Sequence, residues 1–355
     1  MGEKLTLFVG TYTRLGSLGI YTCRMDAKTG ALEQVAVMGG VENPSFLAVD
    51  PAGDHLYAVA ETANSKGEGA VHAYSIDGDG SLTFLNQRST GGADPCHLAV
   101  DATDSYVIVA NYVGGSVGML PIRPAGHLGE RCHFIQHEGS SVNVRRQGEA
   151  HAHSVTIDPT NSWAYVCDLG MDRIVVYRID REGGCLEADD ALTVRAEPGQ
   201  GPRHFDFHPS GEYCYVLNEI GSTVAVYDHD GRSGRLSGKQ LISTLPEGWE
   251  GVNGTADIHV SLDGRFLYAS NRGHDSIAMF AIDPRTGELA SIDHEPTRGK
   301  NPRNFALSPD GRFLLAENSN SASILTFAID AETGQLEFTG NEIEIPGPVC
   351  IKFKP

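Results

Sequence analysis

Long hydrophobic runs are missing from this sequence: over 355 residues, the longest stretch built only of A, V, I, L, M, F, W, Y and C is the six-residue Ile277–Ile282. A membrane helix needs roughly 20 such residues, so no bilayer span and no membrane partner are expected. Basic residues are scarce as well, 27 Lys and Arg against 46 Asp and Glu, for a formal net charge of −19. Nucleic acid and anionic lipid are held by a basic footprint, which excludes them as partners. The seven cysteines, at 23, 96, 132, 167, 185, 214 and 350, form no C-x-x-C pair, and the closest two are 18 apart. An odd, scattered set in a long chain reads as reduced, mostly buried thiols rather than a disulfide frame or a zinc site. The start, Met1-Gly2-Glu3-Lys4 followed by Leu5–Val9, lacks the length and cleavage site of a secretory leader, so a cytoplasmic protein is expected.

Glycine, in contrast, is abundant, at 42 residues. A length of 355 suits two ordinary domains or one architecture that grows by repetition. Six segments decide for repetition: Pro44–Ala60, Pro95–Asn111, Ala152–Asp168, Pro202–Asn218, Ala256–Asn271 and Pro302–Asn318 each hold an apolar alternation, a turn and a second apolar run. Their ends at 60, 111, 168, 218, 271 and 318 are spaced by 51, 57, 50, 53 and 47, and Leu5–Thr11 continues the series at Gly10. Seven units of about 51 residues, with four short strands in each and no helical period, predict an all-β, seven-bladed propeller of antiparallel blades over residues 1–355, a single domain. Only one strand, Val349–Phe353, remains after the last full unit. It is expected to close the ring as the innermost strand of a blade completed by Leu5–Thr11, Gly19–Asp26 and Leu32–Met38.

In such a ring the first strand of each blade lines the central channel, so its start and the end of the second strand meet at one mouth. Aligning units on their turns places Ser45, Cys96, His153, Arg203, Ala256 and Arg303 in one column, with Phe46, His97, Ser154, His204, Asp257 and Asn304 in the next. Glu61, Tyr112, Asn218-Glu219 and Asn271-Arg272 stand at second-strand ends. A lone channel residue such as His97, His204, Asn111 or Asn318 reads most simply as satisfying a backbone group. His151 and His153 could share a face, but no third ligand stands at metal-binding spacing. Arg203 is different, because a channel-facing guanidinium keeps its charge and needs an acceptor such as Glu219 or a bound anion. Arg272 and Arg303 repeat that demand, so a small cationic site on an acidic protein is expected.

Glu149-Ala-His-Ala-His-Ser154, Gly201-Pro-Arg-His204, Asn218-Glu219, Thr255-Ala-Asp-Ile-His259, Tyr268–Ser276 and Asn301-Pro-Arg-Asn304 together resemble the seven-bladed propeller lactonases, a family that includes bacterial 6-phosphogluconolactonases and the fungal carboxy-cis,cis-muconate cyclase. The resemblance covers essentially the whole chain. It implies catalytic residues at His153 (or His151), Arg203, Glu219 and Arg272, and neither metal nor organic cofactor. His151, His204, Arg303, Asn304 and Asn218 are expected to bind substrate, a small anionic or sugar lactone, in a monomer or weak homo-oligomer. Thr255 and the Leu245–Gly254 loop with Trp249 depart from the family pattern and bear on substrate choice. Lactone hydrolysis needs a base for water, donors for the nascent oxyanion and an acid for the ring alkoxide. Glu219 or His153 would be the base, with Arg203 on the carbonyl or on an anionic group of the substrate, and Arg272 and Arg303 on its anionic tail. A lactone-forming cyclase, a metal- or quinone-dependent propeller enzyme and a non-catalytic interaction platform are the alternatives; with two tryptophans and no recurring Gly-His…Trp-Asp signature, the platform lacks the WD-repeat pattern.

Overall fold

The computed structural model describes residues 3–355. Short apolar runs such as Tyr213–Asn218 and Ser276–Ile282, bounded by turn residues, make strands buried on both faces. The described residues form seven sheets around a central channel, six of four strands and one of five. Blade 1 has the order Pro348–Phe353, Lys4–Thr11, Ile20–Asp26, Leu32–Met38 from the channel outward. The C-terminal strand is therefore the inner strand of the first blade, with Leu7 opposite Phe353, as the repeat arithmetic requires. Blades 2 to 7 begin at the channel with Leu47–Val49, Pro95–Val100, Ala152–Ile157, Pro202–Phe207, Gly254–Val260 and Pro302–Leu307.

In blades 2 to 7 the hairpin after the inner strand turns at a residue with positive φ. Glycine takes it at Gly211 (φ 73°) and Gly311 (φ 70°), where a side chain would be strained, while Asp104 and Asn161 fill the equivalent places in blades 3 and 4. Between blades the sheets pack face to face through Leu, Val, Ile, Phe and Tyr with essentially no exposure. Buried tyrosines on the second strands of blades 2, 4, 5 and 6 also tie each of these blades to the one after it. The hydroxyls of Tyr57, Tyr165, Tyr215 and Tyr268 donate to the carbonyls of Gly126, Gly234, Gly287 and Gly334 at 3.2, 3.0, 3.0 and 3.0 Å.

One irregularity recurs where the chain enters the channel. In blades 3, 4, 5 and 7 the ladder between first and second strands skips one residue, and the four skipped are Cys96, His153, Arg203 and Arg303. A bulge of this kind leaves its extra residue unpaired and re-aims its side chain. The first column of the sequence alignment is thus physically set apart from the regular ladder.

Candidate active site

The channel opens at its two ends into separate hollows. One, of about 450 Å³, lies on the side of the inner hairpins and includes Phe46, His97, His204, Asp257, His259 and Lys352. Its most buried titratable groups are occupied with one another: His204 Nδ1 lies 2.7 Å from one Asp257 oxygen, and His259 Nε2 lies 3.0 Å from the other. The other hollow, of about 320 Å³, lies where inner strands start and second strands end, and it is lined by Tyr12, Arg14, Glu61, Cys96, Tyr112, Arg146, His153, Glu219, Arg272 and Arg303. Four arginines face two carboxylates there, and a fifth, Arg203, stands directly behind Glu219.

Glu219 is the hub of one wall. Its Oε1 accepts Arg146 Nη2 at 2.5 Å, and its Oε2 accepts Arg203 Nε at 2.8 Å and pairs with Arg272 Nη2 at 2.9 Å. Burial alone would raise its pKa, but Arg272, Arg203 and Arg146 hold the carboxyl well below the usual carboxylate range. Arg203 is 1% exposed and also donates to the Ala256 carbonyl. Arg272 is fixed further by the carbonyls of Gly254 (3.2 Å) and Thr255 (2.7 Å). Thr255 is itself a buried anchor, donating to the Asn218 carbonyl at 2.9 Å, and Trp249 packs edge-on to His274; neither lines the pocket.

Arg146 arrives on the long connection between blades 3 and 4, and that segment is tied down at several points. His137 Nδ1 pairs with Asp168 at 2.7 Å and its Nε2 meets the Tyr177 hydroxyl at 2.7 Å. Ser141 donates to Asp172 at 2.5 Å, and the buried Gln147 donates to the Leu169 carbonyl at 2.9 Å. The opposite wall comes from blades 1 and 2. Tyr12, just before the one-turn 3-10 segment Thr13–Leu15, donates to the two oxygens of Glu61 at 3.2 and 3.0 Å, and the Arg14 guanidinium lies 3.6 Å over the Tyr12 ring. Arg303 sits 5.4 Å from that ring centroid, with no carboxylate within 4 Å and no hydrogen bond among the described residues. Cys96 and His153 complete the lining, with the thiol donating to the His153 carbonyl at 3.1 Å. Burial raises the thiol far above neutrality, so it carries its proton and is no nucleophile.

The residues expected from sequence are distributed as follows. His153, Glu219, Arg272 and Arg303 share the pocket surface, and Arg203 stands one layer behind. His151 is not in the lining itself but stacks at 4.6 Å on Tyr112, which is, with its Nδ1 2.9 Å from the Tyr112 carbonyl. His204 belongs to the far hollow, Asn304 is buried against Asp257, and Asn218 donates to Thr223 at 3.0 Å; these three do not reach the pocket. Burial, then Arg203, His204, Arg303 and Arg272, push the His153 imidazole well below its ordinary value, which favours the neutral ring. Tyr12, Arg14 and Arg146 escaped the sequence reading. Arg146 left a trace, since the interval that carries it is the longest of the series, 57 residues.

A family model described as lactonase, seven-bladed β-propeller, matches residues 6–353. The chain belongs to that family. It is 35% identical to a 6-phosphogluconolactonase of Bacillus subtilis over 98% of this chain and 97% of the relative. A 6-phosphogluconolactonase of Formosa agariphila is also 35% identical, over 85% of this chain and 86% of the other. Among solved structures, a periplasmic gluconolactonase of Pseudomonas aeruginosa superposes on this lactonase-family chain with a TM-score of 0.94 at 34% identity, covering 99% of each. The resemblance carried by the motifs is thereby confirmed. No helix is long and apolar enough to cross a membrane.

Proposed function

We propose that this protein hydrolyses a sugar lactone to its acid and prefers a phosphorylated lactone, 6-phosphogluconolactone being the first substrate to try. The observation that carries this reading is the charge balance of the pocket. Four arginines line it and a fifth backs it, against Glu61 and Glu219, an excess of three positive charges in a chain whose net charge is −19. Such a local excess is suited to an anionic substrate. The relatives named as 6-phosphogluconolactonases support the same chemistry.

The pocket residues divide the work. Arg303, with no partner of its own, takes the lactone carbonyl oxygen as it gains charge. A preorganised guanidinium in that place stabilises the tetrahedral oxyanion without reorganisation. Arg14 and Arg146, half-exposed at the rim with side chains 53% and 44% accessible, meet the phosphate. Glu219 keeps Arg203, Arg272 and Arg146 from repelling one another, and Arg203 acts from behind it rather than on the carbonyl. All seven thiols are unpaired, which supports action in a reducing cytoplasm.

The test is acid release in a pH-stat from a panel of sugar lactones, phosphorylated and plain, with and without chelator. Hydrolysis well above the spontaneous rate, higher kcat/KM for the phosphorylated member and indifference to chelator are expected. Release no faster than the spontaneous rate across the panel sinks the reading.

A further inference from the structure

Hydrolysis of a lactone requires a group that takes a proton from water, and the two residues first expected to do so are poorly placed. Glu219 is saturated by three guanidiniums, and a carboxylate so held has little affinity for a proton. His153 is neutral but sits among arginines that oppose the imidazolium it would have to become. One other carboxylate lines the pocket, Glu61, at the end of the second strand of blade 2. Its surroundings differ from those of Glu219. It accepts the Tyr12 hydroxyl, and its one cationic neighbour within 4 Å is Arg14, 3.9 Å away on a half-exposed side chain. Its side chain is 13% exposed, so it is reachable from the pocket yet shielded from bulk solvent.

We propose that Glu61 is the general base of the lactonase reaction and that Tyr12 is its positioning residue. The assignment rests on the lactone-hydrolase reading above. As water attacks the lactone carbonyl, Glu61 takes one of its protons while the carbonyl π pair moves to oxygen beside Arg303. Collapse of the tetrahedral species re-forms the carbonyl and breaks the bond to the ring oxygen, to which the Glu61 carboxylic acid returns the proton. The product acid then loses its own proton to solvent, and Glu61 ends as the carboxylate it began as. Tyr12, whose phenol burial raises to about 12, remains a donor throughout and holds the carboxylate plane toward the pocket. Glu61 is faced on its own side by Tyr12, Arg14, Cys96 and Arg303. Across the pocket stand His153, Tyr112, Arg146, Arg272 and Glu219.

The experiment measures kcat, KM and the pH profile of E61Q, E61D and Y12F against wild type on the best lactone of the panel. E61Q is expected to lower kcat by about 10²–10⁴-fold with little change in KM, the usual loss for a positioned acid–base group. E61D should keep part of kcat together with the acid limb of the profile, which E61Q loses. In Y12F a hydrogen bond to the charged carboxylate is gone, so the acid limb should move to higher pH, a shift that a packing role would not produce. A kcat loss in E61Q smaller than about 10²-fold, or an acid limb unmoved in Y12F, overturns the assignment. Should E61Q fail to fold, E61D and Y12F decide it. A wild-type protein inert on every lactone is a different result, which removes the lactonase reading and this assignment with it.

Discussion

Replacing Glu219 by glutamine keeps the shape of the side chain and removes the one negative charge shared by Arg146, Arg203 and Arg272. Arg203 is 1% exposed and cannot turn to water, and Arg272 is held by two backbone carbonyls, so both stay where they are with uncompensated charge. Removing one partner of a buried ion pair costs about 3–5 kcal/mol; the contribution of the half-exposed Arg146 is screened and adds little. With an unfolding entropy of about 2.1 cal/mol/K per residue, that corresponds to a fall in Tm of about 4–7 °C for a chain of this length. The folded pKa of Glu219 lies below its unfolded value, so its stabilisation is complete above the unfolded pKa and is lost as pH falls through the folded one. The full difference between wild type and E219Q is therefore present at neutral pH and shrinks in acid. A polyvalent anion should replace the missing charge, so sulfate is expected to raise the Tm of E219Q more than that of wild type, by binding the freed guanidiniums. Differential scanning calorimetry in chloride and in sulfate reads both effects. A Tm equal to that of wild type at neutral pH, or a fall that sulfate does not relieve, refutes the view that Glu219 is the counter-charge of this wall.

Two further outcomes concern the scaffold. Glu317 is fully buried in blade 7 with neither carboxylate oxygen hydrogen-bonded, and burial, then Asp257, raise its pKa well above the ordinary value. Stability from a raised carboxyl is present below the unfolded pKa and is lost as pH rises toward the folded one, so Glu317→Leu should stabilise the protein by about 1–3 kcal/mol at neutral pH and by less in acid, read as Tm against pH. Tyr215→Phe leaves the Gly287 carbonyl without its donor between blades 5 and 6 and should cost about 1–3 kcal/mol in urea unfolding, with kcat unchanged.

The propeller was legible because every blade repeats the same solution, an alternating inner strand, a turn that accepts positive φ and a buried second strand. Blade closure was legible for the same reason, since Val349–Phe353 lacked partners and Leu5–Thr11 lacked an inner neighbour. Which column faces the channel mouth was also legible, but the alignment treated Cys96, His153, Arg203 and Arg303 as ordinary strand positions. The bulges that skip them are backbone events, and no residue type announces them. The same limit misplaced His204 and Asn304, which lie next to bulged residues: His204 opens into the far hollow and Asn304 is buried against Asp257. Tyr12 and Arg14 went unseen because blade 1 takes its inner strand from the other end of the chain, so no unit alignment reaches them. Arg146 lies in a connection outside the repeat, where only excess length hints at a purpose. The proton affinities of His153 and Glu219 depend on how many guanidiniums gather around them, which the ring decides and sequence spacing does not.

Closing blade 1 with Pro348–Phe353 makes one wall of the pocket depend on a pairing between segments far apart in the chain. Without residues 348–353 to pair with it, Lys4–Thr11 has an open edge, and the backbone contact of Tyr12 to the Gly347 carbonyl, 2.8 Å in the closed ring, is not anchored. Tyr12 and Arg14, which border the pocket beside Glu61, then have no fixed place. This closing contact joins residues more than three hundred positions apart, the kind of long-range pairing that is slow to form and leaves a strand edge open to other partners until it does.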